Sequence, residues 1–221
     1  MNFKNYLTPL LFIIPLSAYA QEAKVNKHKS FEIGVNTTPL IKQVFNLSST
    51  NLQQSPFDFT FRYYFKNKKM AYRFGTGIIY DENKNVDQTS GGATGSETKT
   101  KAESYSFRNG IELLKPIHKK LMLHLGADFV YSYQKNGSSN KFNVLIDKTN
   151  SYGGGPILGL SFELFNNFNL YTEASMYVTQ ANTISSNERL NASNPSKTET
   201  KGTNKLITTS LPTTLYLTFR F

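Results

Sequence analysis

Residues 56–65 read PFDFTFRYYF, and their alternation decides the fold. Phe57, Phe59, Phe61, Tyr63 and Phe65 alternate with Asp58, Thr60, Arg62 and Tyr64. Successive side chains of a strand point to opposite faces. The stretch therefore predicts a strand with one aromatic face and one polar face that carries a charge. The same pattern returns at 120–133. There Leu121, Leu123, Leu125, Ala127, Phe129, Tyr131 and Tyr133 alternate with Met122, His124, Gly126, Asp128, Val130 and Ser132.

Working outward, eight segments have this period: roughly 31–38, 56–65, 70–80, 104–114, 120–133, 155–165, 168–180 and 206–221. The links between them alternate in length. Lys66 to Lys69, Lys115 to Lys119 and Asn166-Asn167 are short, whereas 39–55, 81–103, 134–154 and 181–205 are long and rich in Asn, Ser, Thr, Gly and Lys. An eight-stranded meander puts every short turn at one end and every long loop at the other. Transmembrane barrels have that asymmetry. The predicted class is all-β, an eight-stranded antiparallel up-and-down transmembrane β-barrel.

The alternative is a soluble lipocalin-like barrel with its apolar face inside, a carrier of apolar ligands. Charge placement argues against it. Of the five Arg, Arg62, Arg73, Arg108 and Arg220 lie within segments on the polar face, beside Glu32, Asp58, Glu112, Asp128, Glu163 and Glu173. The 20 Lys fall in turns, loops, the tail or segment starts on this reading. Arg with carboxylates suits a confined space, because its planar fork bonds bidentately. Gly34, Gly75, Gly77, Gly110, Gly126 and Gly159 share the polar face and make room for long side chains in a narrow lumen. Tyr80, Tyr105, Tyr131 and Tyr133 fall near the long-loop ends. Phe31, Tyr63, Phe65, Tyr72, Phe165, Phe168, Phe219 and Phe221 fall near the short-turn ends. Two such belts mark the two membrane interfaces.

The chain has 221 residues, no Cys and no Trp, with 25 Lys plus Arg against 15 Asp plus Glu, a net charge of +10. Without Cys there is no disulfide scaffold, thiolate metal site or Cys nucleophile. Three His make a His-rich metal site improbable, and no metal or cofactor is expected. A mean hydropathy of −0.41 argues against a bundle of membrane helices. Nucleic-acid binding lacks a basic face interleaved with aromatics. The run 91–95 lacks the Lys-Ser/Thr of a phosphate loop.

Residues 1–20 (MNFKNYLTPLLFIIPLSAYA) have a basic start at Lys4, an apolar core and an Ala18-Tyr19-Ala20 cleavage pattern, the signature of a secretory signal peptide. The expected organisation is a signal peptide at 1–20, a periplasmic tail at 21–30 and a barrel over 31–221. The chain ends Leu215-Tyr216-Leu217-Thr218-Phe219-Arg220-Phe221, with apolar residues at 215, 217, 219 and 221.

The terminal Phe resembles the β-signal of bacterial outer-membrane proteins. That resemblance implies recognition of Leu215, Leu217, Phe219 and Phe221 by the barrel-assembly machinery. Signal peptide, eight segments and terminal Phe together resemble the small outer-membrane barrels of the OmpA/OmpX-type or PorT-like group. GVNTTPLIKQVF (34–45) and SPFDFTFRYYFKNKKMAYRFGTGI (55–78) are similar to stretches of such families. The resemblance implies the outer membrane of a Gram-negative bacterium and contact with its lipid. It also makes a part in a secretion apparatus conceivable.

Eight strands leave an interior just wide enough for side chains to fill it. Asp58, Arg62, Arg73, Arg108, Glu112, His124, Asp128, Glu163 and Glu173 are therefore expected to form a structural charge network plugging the lumen. With the turn at Lys66 to Lys69, Arg62 and Arg73 face each other. A narrow ion channel is the functional alternative. Catalysis is not expected, since His124 has no Ser at short spacing. The loop 39–55 is unusually apolar, with Leu40, Ile41, Val44, Phe45, Leu47 and Leu52. A short helix after Pro39 is expected there, packed as a lid over the barrel mouth. The loops 39–55, 81–103, 134–154 and 181–205 are the expected contact surfaces for a protein or surface partner.

Overall fold

The alternating segments form one closed antiparallel ring. The structure, a computed structural model, describes residues 30–44, 56–66, 69–86, 97–190 and 196–221. Its strands are β1 (Phe31–Asn36), β2 (Phe59–Tyr64), β3 (Met70–Val86), β4 (Glu97–His118), β5 (Leu121–Ser139), β6 (Asn143–Phe165), β7 (Phe168–Arg189) and β8 (Ser196–Arg220). Each pairs with its neighbours in sequence, and β1 closes on β8. Closure extends to the last residue, where Phe31 and Phe221 exchange backbone hydrogen bonds of 3.1 and 2.8 Å.

The faces settle the question that alternation leaves open. Ile33, Phe59, Ile78, Ile111, Phe129, Leu158 and Val178 are exposed on the outer wall, while Arg62, Arg73, Glu112 and His124 are fully buried inside. Burial of apolar surface inside is what a soluble lipocalin-like carrier needs, so that alternative fails.

Near the short-turn end, aromatic rings run in a chain across the closing seam. Phe165 meets Phe168 at 4.8 Å, Phe168 meets Phe219 at 4.9 Å, and Phe219 meets Phe221 at 6.1 Å. Phe221 then meets Phe31 at 6.1 Å, and Phe31 meets Tyr63 at 5.1 Å. Aromatic contacts of this kind add to the burial they bring. The apolar residues Leu215, Leu217, Phe219 and Phe221 thus lie on one outer row of β8.

The strands run further than alternation predicts. β3, β4, β5, β6, β7 and β8 continue deep into the three expected loops 81–103, 134–154 and 181–205. The link between β5 and β6 shrinks to 140–142. These stretches are polar on both faces apart from the unalternating run Val144-Leu145-Ile146, so no hydrophobic period marks them. The other two strands stop early. β2 pairs with β3 only as far as Thr76, whereas β3 pairs with β4 as far as Val86. β1 stands in register with β8 only from Tyr216 to Arg220, with backbone bonds one residue further at each end, to Leu215 and Phe221. Above that level the described wall is a six-stranded sheet, β3 to β8. A membrane-crossing strand needs about 9–11 residues, whereas β6 has 23. The sheet therefore stands well clear of the apolar band.

This extension overturns the placement of lysines outside strands. Lys84, Lys99 and Lys101 lie within β3 and β4, Lys135 and Lys148 within β5 and β6, and Lys197, Lys201 and Lys205 within β8. Strand register carries all of them to the outer face, in line with the lipid-facing aromatic residues. The inner face of the same region carries Ser, Thr and Asn with Asp81 and Asp147, and no lysine among the described residues.

A short helix, α1 (Thr38–Val44), follows β1 as expected. It does not pack as an apolar lid, because Leu40 and Val44 are 59% and 67% exposed. Polar bonds to β8 hold its start instead. Thr37 Oγ1 donates to the Leu215 carbonyl at 2.9 Å, and the Leu215 N–H donates to Thr38 Oγ1 at 2.7 Å. The expected signal peptide 1–20, residues 21–29 of the expected tail, Phe45, Leu47, Leu52 and the run 91–95 lie outside the described residues.

Candidate functional site

The interior of the lower barrel is one balanced charge network. Strand parity brings Glu32 (β1), Arg62 (β2), Arg73 (β3), Arg108 and Glu112 (β4), His124 and Asp128 (β5), Glu173 (β7) and Arg220 (β8) inward. The β2–β3 register sets Arg62 directly opposite Arg73. Like charges side by side are unfavourable, and Glu112 lies between them. It accepts from Arg62 Nε at 3.0 Å and from Arg73 Nη1 at 2.8 Å. Arg62 Nη1 also bonds Glu32 at 2.9 Å. Arg73 Nη2 bonds Glu173 at 2.8 Å, and Arg73 Nε lies 3.4 Å from Asp128. Arg108 pairs with the second oxygen of Glu173. Arg220 joins from the short-turn end, 3.1 Å from Glu32. Four arginines thus face four carboxylates, so the buried ions cancel. Such cancellation is the condition for burying charge at tolerable cost.

Tyrosines tie the ions together. Tyr64 donates to Glu32 at 3.0 Å, Tyr171 to Glu173 at 2.8 Å and Tyr177 to Asp128 at 2.8 Å. Arg62 stacks over the Tyr171 ring at 3.8 Å and Arg220 over Tyr64 at 4.0 Å. Above the ions, Phe57, Val130, Ile157 and Tyr177 form an apolar cluster. Arg108 lies over Phe57 at 4.3 Å, which joins the two layers. Small residues create the space. A side chain at Gly159 would strike the Tyr171 ring, and one at Gly75 would strike Arg108.

Two expected members stand apart. Asp58 is at the upper rim, where its carboxylate accepts from the Ile78 N–H at 3.3 Å. Glu163 sits beside the β6–β7 turn, paired in register with Asn169. Neither has an ion pair among the described residues. Parity reports the face of a residue but not its depth.

His124 has the serine that local spacing did not show. Its Nδ1 lies 3.0 Å from Glu112, and its Nε2 lies 2.9 Å from Ser161 on the adjacent strand. The order Ser–His–Glu matches that of a hydrolytic triad. Access does not match. Ser161 is 7% exposed, His124 and Glu112 are 0%, and Glu112 is held by two arginines. Ser161 also lies in a strand paired on both sides, so its backbone N–H groups serve the sheet rather than an oxyanion. No group of three or more His, Asp or Glu able to hold a metal ion occurs among the described residues.

No family model and no curated protein matches the sequence. A crystal structure of a major outer membrane protein from Thermus thermophilus is similar, with a TM-score of 0.51 at 10% identity, over 87% of this chain and 99% of that one. This chain has the fold of a transmembrane β-barrel. At that identity the likeness concerns the fold alone.

The barrel residues that sequence reasoning missed are Tyr64, Tyr171, Tyr177, Tyr216 and Ser161. All share the parity of the charged residues on their strands, and that was the available signal. Tyrosine is amphipathic, and alternation alone does not separate a lumen tyrosine from a belt tyrosine.

Proposed function

We propose that this protein is a non-enzymatic outer-membrane barrel, closed to diffusion, that acts through its outer sheet. The role is in envelope integrity, surface interaction or assembly of an envelope complex. The observation that carries it is the sealed interior. A layer of four fully or nearly fully buried arginine and glutamate side chains (Arg62, Arg73, Arg108 and Glu112) lies under an apolar layer. A wall this full supports neither a porin nor a substrate pocket, and leaves the hairpins above it as the parts free to meet a partner.

The same reading assigns residues 1–20 to an export signal and 21–30 to a periplasmic tail, with the barrel over 31–221. The row Leu215, Leu217, Phe219 and Phe221 would be the strand that the assembly machinery receives. Its position at the closing seam supports that role, because this strand completes the ring. A place in a secretion apparatus is one form of complex assembly that the reading allows.

Two measurements test it. Fractionation should place the protein in the outer membrane, with a gel band that shifts on boiling. Reconstitution in a planar bilayer should give no conductance above that of lipid alone. Steady unitary currents would instead support the narrow-channel reading, whose physical ground is the bonded line Ser161–His124–Glu112.

A further inference from the structure

Above the membrane band, the outer face of the sheet is ordered in rows. One row runs Tyr105, Tyr133 and Asn150 across β4, β5 and β6. The row beneath it holds Phe107, Tyr131 and Tyr152. These tyrosines mark the interface between apolar chains and headgroups. The next row outward contains Lys135 directly opposite Lys148, with Lys201 two strands further on through Ile184. Two residues along a strand is about 6.6 Å. The lysine row therefore stands at headgroup height, a single step outside the tyrosines.

Two like charges directly opposite each other destabilise a sheet. The remaining acid in this row relieves them only in part, since Glu103 attracts Lys135 without forming an ion pair with it. Glu103, the register partner of Lys135, has its ion pair with Lys101 at 2.6 Å. No carboxylate of the described residues lies within 4.0 Å of Lys135 or Lys148. A second opposed pair, Lys84 and Lys99, lies two rows further out and is neutralised differently, since both reach Glu97 at 3.0 and 3.4 Å. The sorting is also one-sided. A hairpin whose two faces were merely solvated would scatter its lysines, yet the inner face has none among the described residues.

We propose that Lys135 and Lys148 clamp a phosphate on the headgroup of an outer-leaflet lipid, with Lys201 flanking it. The inference rests on the outer-membrane reading above. Opposed side chains on neighbouring strands have Cβ atoms about 5 Å apart. Two ammonium groups on flexible stems can therefore converge on one phosphate, where mutual repulsion becomes shared attraction.

The test uses the full barrel purified in neutral detergent and native mass spectrometry. The probe is a bis-phosphorylated lipid A, set against the same lipid stripped of its phosphates. The wild type should retain the phosphorylated form, and Lys135→Gln with Lys148→Gln should weaken retention about thirtyfold. Lys84→Gln with Lys99→Gln, which also removes two charges, should change it little. Equal retention by both double variants, or equal retention of the stripped lipid, overturns the clamp. So does full displacement of the lipid by millimolar inorganic phosphate, which would identify a free-anion site. The boiling shift and fractionation are read on the same samples. A folded outer-membrane protein that ignores the phosphates defeats this inference alone, whereas a protein found outside that membrane defeats the reading beneath it.

Discussion

The two ends of this barrel bury charge in opposite ways. In the lower half, arginine is the cation, it points inward, and every guanidinium meets a carboxylate or an aromatic ring. In the outer sheet, lysine is the prevailing cation, with Arg189 at the end of β7; the lysines point outward, and their ion pairs are exposed to solvent. The difference follows from what each cation does in its surroundings. Guanidinium is weakly hydrated and planar, so a confined lumen can satisfy it. Ammonium is strongly hydrated on a flexible stem, so it belongs where water or headgroups reach it. The lower half should therefore carry the stability of the molecule, and the outer sheet its contacts.

The sharpest break of this contrast is at Glu112, which bonds Arg62, Arg73 and His124 at once. Glu112→Ala leaves two opposed arginines buried without their shared partner. Removing one partner of a buried pair costs about 3–5 kcal/mol. The temperature at which the folded band is lost on a detergent gel should fall steeply. An unchanged temperature would mean that the network does not hold the barrel.

Packing beside the network gives a second, smaller effect. Gly159→Val places atoms against Tyr171, whose hydroxyl bonds Glu173 and accepts from Arg73. Overpacking of this kind costs about 1–3 kcal/mol. The same gel should show an intermediate loss. Gly202→Val, in the outer sheet, has nothing within 4 Å to strike and should behave as wild type.

How much of this contrast was legible in the sequence follows from the same physics. The aromatic alternation at 59–65 and 121–133 carried the strands and both faces, because one side of each meets lipid; Phe57, which precedes β2, breaks the pattern and lies buried inside with Val130, Ile157 and Tyr177. The opposition of Arg62 and Arg73 followed from a short turn. The outer sheet was hidden, since 81–86, 97–103 and 181–189 have polar residues on both faces and no period to read. Ser161 was hidden by distance, lying 37 residues from the histidine it bonds. Asp58 and Glu163 had the right parity at the wrong depth.

Hydroxyl deletion tests whether the tyrosines matter to the network. Tyr177→Phe removes the bond to Asp128 while keeping the ring in the apolar cluster. A hydrogen bond to a charged group is worth about 1.5–3 kcal/mol when intact. The ring remains and Arg73 still faces Asp128, so the lower end of that range is expected. The loss would be measured as a modest shift in urea midpoint in detergent micelles.

The smallest effect should come from shortening the outer sheet itself. Replacing 136–147 by Asn-Gly joins Lys135 to Lys148, which already face each other, through a turn suited to a two-residue hairpin. The removed segment contains none of the buried ions. Exposed ion pairs such as those on this sheet contribute little, and the ladder below the new turn stays intact. Heat resistance on the gel should therefore match the wild type, while loop-dependent partner capture should fall. A large drop in heat resistance would show that the hairpin is part of the cooperative unit. The lower network would then not be sufficient to hold the barrel, and the division of labour between arginine inside and lysine outside would fail with it.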